Sequence, residues 1–141
     1  MGTGNRIRKL RKAAGFTQKQ LAQAIGLTES AIRNYELDIR KPGADQLDAM
    51  ADALGVHVAS LEDIGIESAR QTMEVLFRLE DTMGFFPEEA DDEMAVGIDR
   101  RADGAPKMQM ALKAWKAMRD NLSAGKITQD EYDAWKASFS V

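Results

Sequence analysis

The sequence predicts a mainly α-helical protein in two parts. Three observations carry this. Apolar residues recur at helical spacing through most of the 141 residues. Three helix starts carry a threonine cap with an apolar staple, at Thr17, Thr28 and Thr128. Strict alternation occurs in one short stretch only, at Met94, Val96 and Ile98. Residues 1–63 are expected to form a bundle of five short helices, and residues 64–141 a helical domain with a small β-hairpin.

The first helix is set by Ile7, Leu10, Arg11 and Ala14 and ends at Gly15. Thr17 caps the second, with Gln20 completing a capping box and Phe16 stapling onto Leu21; it stops at Gly26. Thr28 caps the third, Leu27 can staple onto Ile32, and the helix runs to about Leu37, followed by Asp38, a residue that tolerates a left-handed backbone. Pro42-Gly43 opens a fourth helix with the stripe Leu47, Met50, Ala51 and Leu54, closed by Gly55. A fifth is expected from Val58 to Asp63.

In the second part, residues 66–83 read as a helix with Ile66, Ala69, Met73, Leu76, Phe77 and Met83 on one wide apolar face, ended by Gly84. A hairpin is expected to turn at Asp91-Asp92. Residues 100–105 are a loop, and Pro106 suits the first turn of a helix with the stripe Met108, Leu112, Trp115, Met118 and Leu122. Thr128 and Glu131 form a capping box for a last helix whose buried face is Tyr132, Trp135 and Phe139.

Composition narrows the function. The chain has no cysteine and one histidine, His57, which excludes disulfides, thiolate chemistry and multi-histidine metal sites. No Gly-rich phosphate loop is present, so no enzyme and no cofactor are expected. The acidic run Glu88, Glu89, Asp91, Asp92 and Glu93 lacks the central Gly and ligand spacing of a calcium loop, so it reads as a solvated turn and no metal is expected. There is no apolar run of membrane-spanning length and no signal-peptide pattern, so no membrane partner is expected and the chain reads as cytoplasmic. The net charge of −4 is unevenly spread: residues 1–41 hold nine Lys/Arg against three acids, and residues 42–141 hold ten against twenty. A basic end on an acidic chain points to an anionic partner for that end.

Gln18 to Leu37 has the spacing of a helix-turn-helix: small Ala22 at the helix crossing, Gly26 at the turn, and Ile32 and Tyr35 directed back at the first helix. Together with Arg6–Arg11, Gly15–Ala22, Ile32–Glu36, Arg40–Pro42 and Leu54–Val56, it resembles the Xre family of helix-turn-helix proteins, which includes phage repressors and Cro. The resemblance spans about residues 5–63. It implies a lambda-repressor-like DNA-binding bundle that binds operator DNA, usually as a dimer, with the third helix in the major groove. It places base contacts on Thr28, Glu29, Ser30, Arg33 and Asn34, phosphate contacts on Thr17, Gln18, Arg40 and Lys41, and a structural ion pair on Arg11 and Glu36. The chemistry suits those roles: Arg pairs with guanine, Asn with adenine, and a carboxylate accepts from cytosine N4. Arg8, Lys9 and Lys12 read as solvated charges with a minor steering effect.

The C-terminal half is similar, more weakly, to tails of some Xre-type regulators and to short modules thought to act in oligomerisation. The expected function is a sequence-specific transcriptional regulator, a repressor acting as a homodimer on double-stranded DNA with a palindromic operator, with residues 64–141 holding the dimer or a protein partner. One alternative is an antitoxin that binds a toxin through its C-terminal half and represses its own operon. Another is an interaction module that no longer binds DNA, against which the basic segment and Gln18 argue.

Overall fold

The computed structural model describes residues 1–141. It contains seven α-helices, one short 3₁₀ turn and one two-stranded antiparallel sheet, in the order α1 (Thr3–Ala13), α2 (Gln18–Ile25), α3 (Glu29–Glu36), α4 (Ala44–Leu54), the 3₁₀ turn (Val58–Ser60), α5 (Ala69–Met83), β1 (Phe85–Ala90), β2 (Glu93–Ile98), α6 (Ala105–Ser123) and α7 (Gln129–Ser138). No helix is long and apolar enough to cross a membrane.

Two compact units divide the chain. The first comprises Met1–Ile64 together with Asn121–Ser140, and the second Gly65–Asp120. This differs from the division expected at residue 63, because the last helix belongs with the first unit. Its reason is chemical. Tyr132, Asp133 and Ala137 turn inward on α7, and Ala137 joins the same core as Ile7, Leu10 and Leu61. Two hydrogen bonds to its backbone reinforce this: the His57 N–H donates to the Ala137 carbonyl at 2.8 Å, and the Ser60 hydroxyl to the same oxygen at 3.2 Å. The expected Tyr132 is buried, whereas Trp135 and Phe139 are half-buried and meet at the end of the helix with ring centroids 4.8 Å apart and planes tilted by 45°.

In the first unit, Ile7, Leu21, Ile32, Met50 and Leu61 are fully buried. Each such side chain stabilises the fold by about 1.5–3 kcal/mol relative to exposure. The start of α2 forms as expected: Thr17 Oγ1 accepts from the Gln20 N–H at 3.0 Å, and Gln20 Oε1 accepts from the Thr17 N–H at 2.8 Å. Gly26 caps α2 at φ +71°, in the left-handed region the turn needs. After α3, Asp38 takes φ +54°. Its carboxylate accepts from the Gly4 N–H at 3.0 Å, tying the start of α1 to the end of α3. Gly4 is itself required there, since a Cβ would lie 2.5 Å from the Tyr35 carbonyl oxygen.

The expected fifth helix, Val58–Asp63, is one 3₁₀ turn of three residues. Leu61 is drawn wholly into the core, and Ser60 and His57 are bonded to α7 instead of continuing a helix.

In the second unit, α5 begins at Ala69, not at Ile66. Ser68 caps it by accepting from the Gln71 N–H at 3.2 Å, which leaves Ile66 outside the helix. The expected apolar face of α5 exists in sequence, but none of its residues is buried. The hairpin turns where expected: Asp91 and Asp92 have φ of 52° and 63°, the two left-handed positions of a tight two-residue turn. Its register pairs Phe85 with Ile98 and Ala90 with Glu93. Phe86 reaches over Gly97 opposite it, so that a Cβ on Gly97 would lie 2.9 Å from the ring.

Candidate nucleic-acid interface

Helix α3 presents two faces. Ile32, Tyr35 and Glu36 are buried, while Glu29, Ser30 and Arg33 are exposed and Asn34 is half-buried. Positions 29, 30, 33 and 34 fall on one arc at about 100° per residue, opposite 32 and 35. Thr28 stands at the head of this arc as N-cap, its Oγ1 accepting from the Ala31 N–H at 3.2 Å. The five residues expected to meet bases therefore share one outward surface. Arg40 and Lys41 follow on an exposed turn anchored to α3: the Ile39 and Arg40 N–H groups donate to the Asn34 carbonyl at 3.0 and 3.3 Å.

Behind that surface lies a buried ion pair. Arg11 Nε donates to Glu36 Oε1, and Arg11 Nη2 donates to Glu36 Oε2 at 3.0 Å. Arg11 Nη1 also donates to the Phe16 carbonyl at 2.7 Å, so one guanidinium holds α1, the α1–α2 turn and α3 together. Burial pushes the Glu36 carboxyl up, but bonds from Arg11 and Gln18 and the charges of Arg11 and Arg8 outweigh it and hold the carboxyl below its usual range.

Gln18 has a partner that sequence alone does not indicate. Its Nε2 donates to Glu36 Oε2 at 2.8 Å. The first residue of α2 is thus locked to the last residue of α3, while its amide retains a second N–H. Thr17 sits before it, with its Oγ1 engaged in the cap. Around this point Arg8, Arg11, Lys12, Gln18, Arg33 and Glu36 line one shallow cleft. Arg8 and Lys12 enter the cationic rim beside Arg33, where their sequence reading is of solvated charges with a minor steering effect. Their i, i+4 spacing on α1 is the signal that places them together.

His57 is exposed, and its Nε2 lies 3.0 Å from the Ser140 hydroxyl.

The chain is similar to known proteins over its N-terminal part. The family described as Helix-turn-helix matches residues 7–61. The uncharacterized HTH-type transcriptional regulator YazB of Bacillus subtilis (strain 168) is 36% identical over 58 residues, which are 41% of this chain and 84% of that relative. The chain belongs to the helix-turn-helix family. The immunity repressor protein of Bacillus phage phi105 is 38% identical over 61 residues, 43% of this chain and 42% of the relative. The regulator ImmR of B. subtilis (strain 168) is 38% identical over 47 residues, 37% of its own length. The chain thus spans about two fifths of the length of these two relatives. Among solved structures, the P22 c2 repressor in complex with a synthetic operator overlaps 45% of this chain and 96% of its own, at 28% identity and a TM-score of 0.43. A SinR–SinI protein complex overlaps 56% of this chain and 78% of its own, at 29% identity and a TM-score of 0.42.

Proposed function

We propose that this helix-turn-helix protein is a sequence-specific transcriptional repressor that binds a palindromic operator as a dimer. The observation that carries the reading is the outward arc of α3, polar throughout and flanked by Arg8, Lys12, Arg40 and Lys41. A face so rich in donors and positive charge matches a major groove between two phosphate strands. That a relative is an immunity repressor supports repression as the polarity.

In this reading Arg33 donates bidentately to guanine O6 and N7, Asn34 pairs with adenine, and Glu29 accepts from cytosine N4, with Thr28 and Ser30 beside them. Gln18 turns its second amide hydrogen, and the α2 N-terminus its N–H groups, toward a phosphate; Thr17, Arg40 and Lys41 hold neighbouring phosphates. The Arg11–Glu36 pair makes no base contact and fixes the angle at which α3 leaves the bundle. One such unit reads one half-site, too little for discrimination within a genome, so two copies bind about one helical turn apart.

The test is selection of bound fragments from genomic DNA, followed by affinity measurements on the selected and on a random duplex. Arg33→Ala or Asn34→Ala is expected to weaken the selected site by about 1–3 kcal/mol with little loss on random DNA. Lys41→Ala is expected to weaken both alike and flatten the salt dependence. Equal losses on both duplexes for Arg33 and Asn34 variants would overturn the assignment of base reading.

A further inference from the structure

One charged group of the first unit lacks the bonds its burial calls for. Arg6 is half-buried on α1, and its Nε is shut off from solvent without a hydrogen-bond partner. Its Nη1 donates to the Ser60 carbonyl across 3.4 Å, which is long for such a bond. A buried donor on a charged group is costly to leave unpaired and is ordinarily met by protein, water or a ligand.

Arg6 borders a cleft of about 180 Å³ between α1 and α7, within the first unit. Lys9, Ser60, Asp133 and Lys136 line the same cleft. Lys9 and Lys136 share the one carboxylate of Asp133, at 2.8 and 2.9 Å. Three cations therefore face a single anion, and the surplus positive charge is gathered on a concave surface that concentrates its field. We infer that this cleft is a binding site for a small oxyanion, a phosphate or a carboxylate, which accepts from the Arg6 guanidinium between the ammonium groups of Lys9 and Lys136.

Chemistry and size favour this occupant. A guanidinium presents its N–H groups in a fixed fork that suits the paired oxygens of a phosphate or carboxylate. The two lysine side chains are 44% and 45% exposed, and each ammonium has three donors, so both keep hydrogens for a guest after meeting Asp133. The cleft is smaller than the roughly 300 Å³ at which sites for drug-sized ligands begin, so the guest is no larger than a short phosphorylated or carboxylated molecule. Its direction separates it from the DNA reading. On α1, Lys9 lies about 60° around the axis from Arg6, whereas Arg8 and Lys12 lie about 160° and 120° away on the other side. One wall of the cleft is α1 and the other α7, so a bound anion ties the two helices together and favours the docked position of α7 by mass action.

The experiment is titration of the full chain with sodium phosphate, and separately with sodium malonate, at an ionic strength held constant with sodium chloride. Two quantities are read: the Arg6 Nε–H resonance, assigned by its loss in Arg6→Met, and the melting temperature. The resonance is expected to shift saturably, half-complete at about 1 mM phosphate or below, and the melting temperature to rise with it. Saturation by phosphate alone, or by malonate as well, supports the site and tells the two guests apart. Arg6→Met should abolish the rise in melting temperature, whereas Arg70→Met, at an exposed arginine of α5, should retain it. A resonance that stays in place, a shift reproduced by chloride, or a rise undiminished in Arg6→Met overturns the inference. If Arg6→Met does not fold, Lys136→Met replaces it and should raise the phosphate dissociation constant about threefold or more; an unchanged constant overturns the inference. Displacement of phosphate by a stoichiometric half-site duplex also overturns it, because the cleft would then belong to the DNA-binding surface.

Discussion

Lys9 Nζ lies 2.8 Å from Asp133 Oδ2, across 124 residues of sequence, and this contact fastens the last helix to the first. Asp133 is 5% exposed, and it also meets Lys136 at 2.9 Å and accepts from Gln129 Nε2 at 3.1 Å. Burial pushes its carboxyl up; the bonds from Lys9, Lys136 and Gln129 pull harder, and it settles at about 2. A buried carboxylate held by two lysines has few places in the fold where it is tolerated. It therefore specifies where α7 docks as well as stabilising it.

The first prediction follows from that depressed value. A carboxyl whose folded pKa lies below its unfolded one stabilises the protein fully above the unfolded value, and the contribution is lost as pH falls through the folded value. For Asp133 the loss falls between about pH 5 and about pH 2. Asp133→Asn is expected to lower stability by about 2 kcal/mol at pH 7. Urea unfolding at pH 7 and pH 3 checks this: the gap between wild type and variant should shrink at pH 3. An unchanged gap would mean that the loss comes from packing and not from charge.

The buried pair of Arg11 and Glu36 gives the second. Removing one partner leaves the other charged and out of water, at a cost of about 3–5 kcal/mol; removing both leaves no orphan. Arg11→Met combined with Glu36→Leu should therefore be more stable than the sum of the single changes implies, with a coupling above about 1 kcal/mol. Gln18→Ala should lose less, because Glu36 retains its bonds to Arg11. Additivity in denaturant melts would reduce the pair to an incidental contact.

A third prediction runs against helix propensity. Gly4 lies inside α1, where alanine would ordinarily gain about 1 kcal/mol. A Cβ at this position would lie 2.5 Å from the Tyr35 carbonyl and 2.8 Å from the Asp38 side chain, so α1 must shift from α3. Gly4→Ala should destabilise by about 1–3 kcal/mol. A higher melting temperature for the variant would show that α1 adjusts freely.

What the sequence conveyed depended on the range of the interaction. The caps at Thr17, Thr28 and Thr128 and the two-residue turn at Asp91-Asp92 are local chemistry, and each formed where its residues indicated. The helix-turn-helix was legible because its crossing, turn and core residues lie within 20 positions. The Gly4–Asp38 bond and the docking of α7 join distant segments, and the bond from Gln18 to Glu36 joins two polar side chains across the motif; none leaves a periodic trace. The fifth helix failed for a related reason. Val58–Asp63 has a helical composition, but Leu61 and the bonds to Ala137 decide its path. For α5 the apolar periodicity correctly gave a helix, yet periodicity does not say whether a partner for the face lies within the same chain.

The final prediction concerns α7 as part of the DNA-binding unit. Ala137 is 4% exposed in the core that contains Leu10 and Leu61, so Ala137→Phe would overpack a site filled by a methyl group. The helix should detach before the larger side chain is accommodated. Its departure uncovers part of that core and releases His57 and Ser60 from the Ala137 carbonyl. The melting temperature of the first unit should fall by about 4–8 °C for each kcal/mol lost. The exposed residues of α3 and the turn at Arg40 and Lys41 are not part of this contact, so half-site affinity measured well below the melting range should change less than about threefold, under 1 kcal/mol. Calorimetry of the full chain with anisotropy on a half-site duplex separates the two effects. A large loss of affinity in fully folded protein would mean that α7 bears on the DNA-binding surface directly, and not through stability alone.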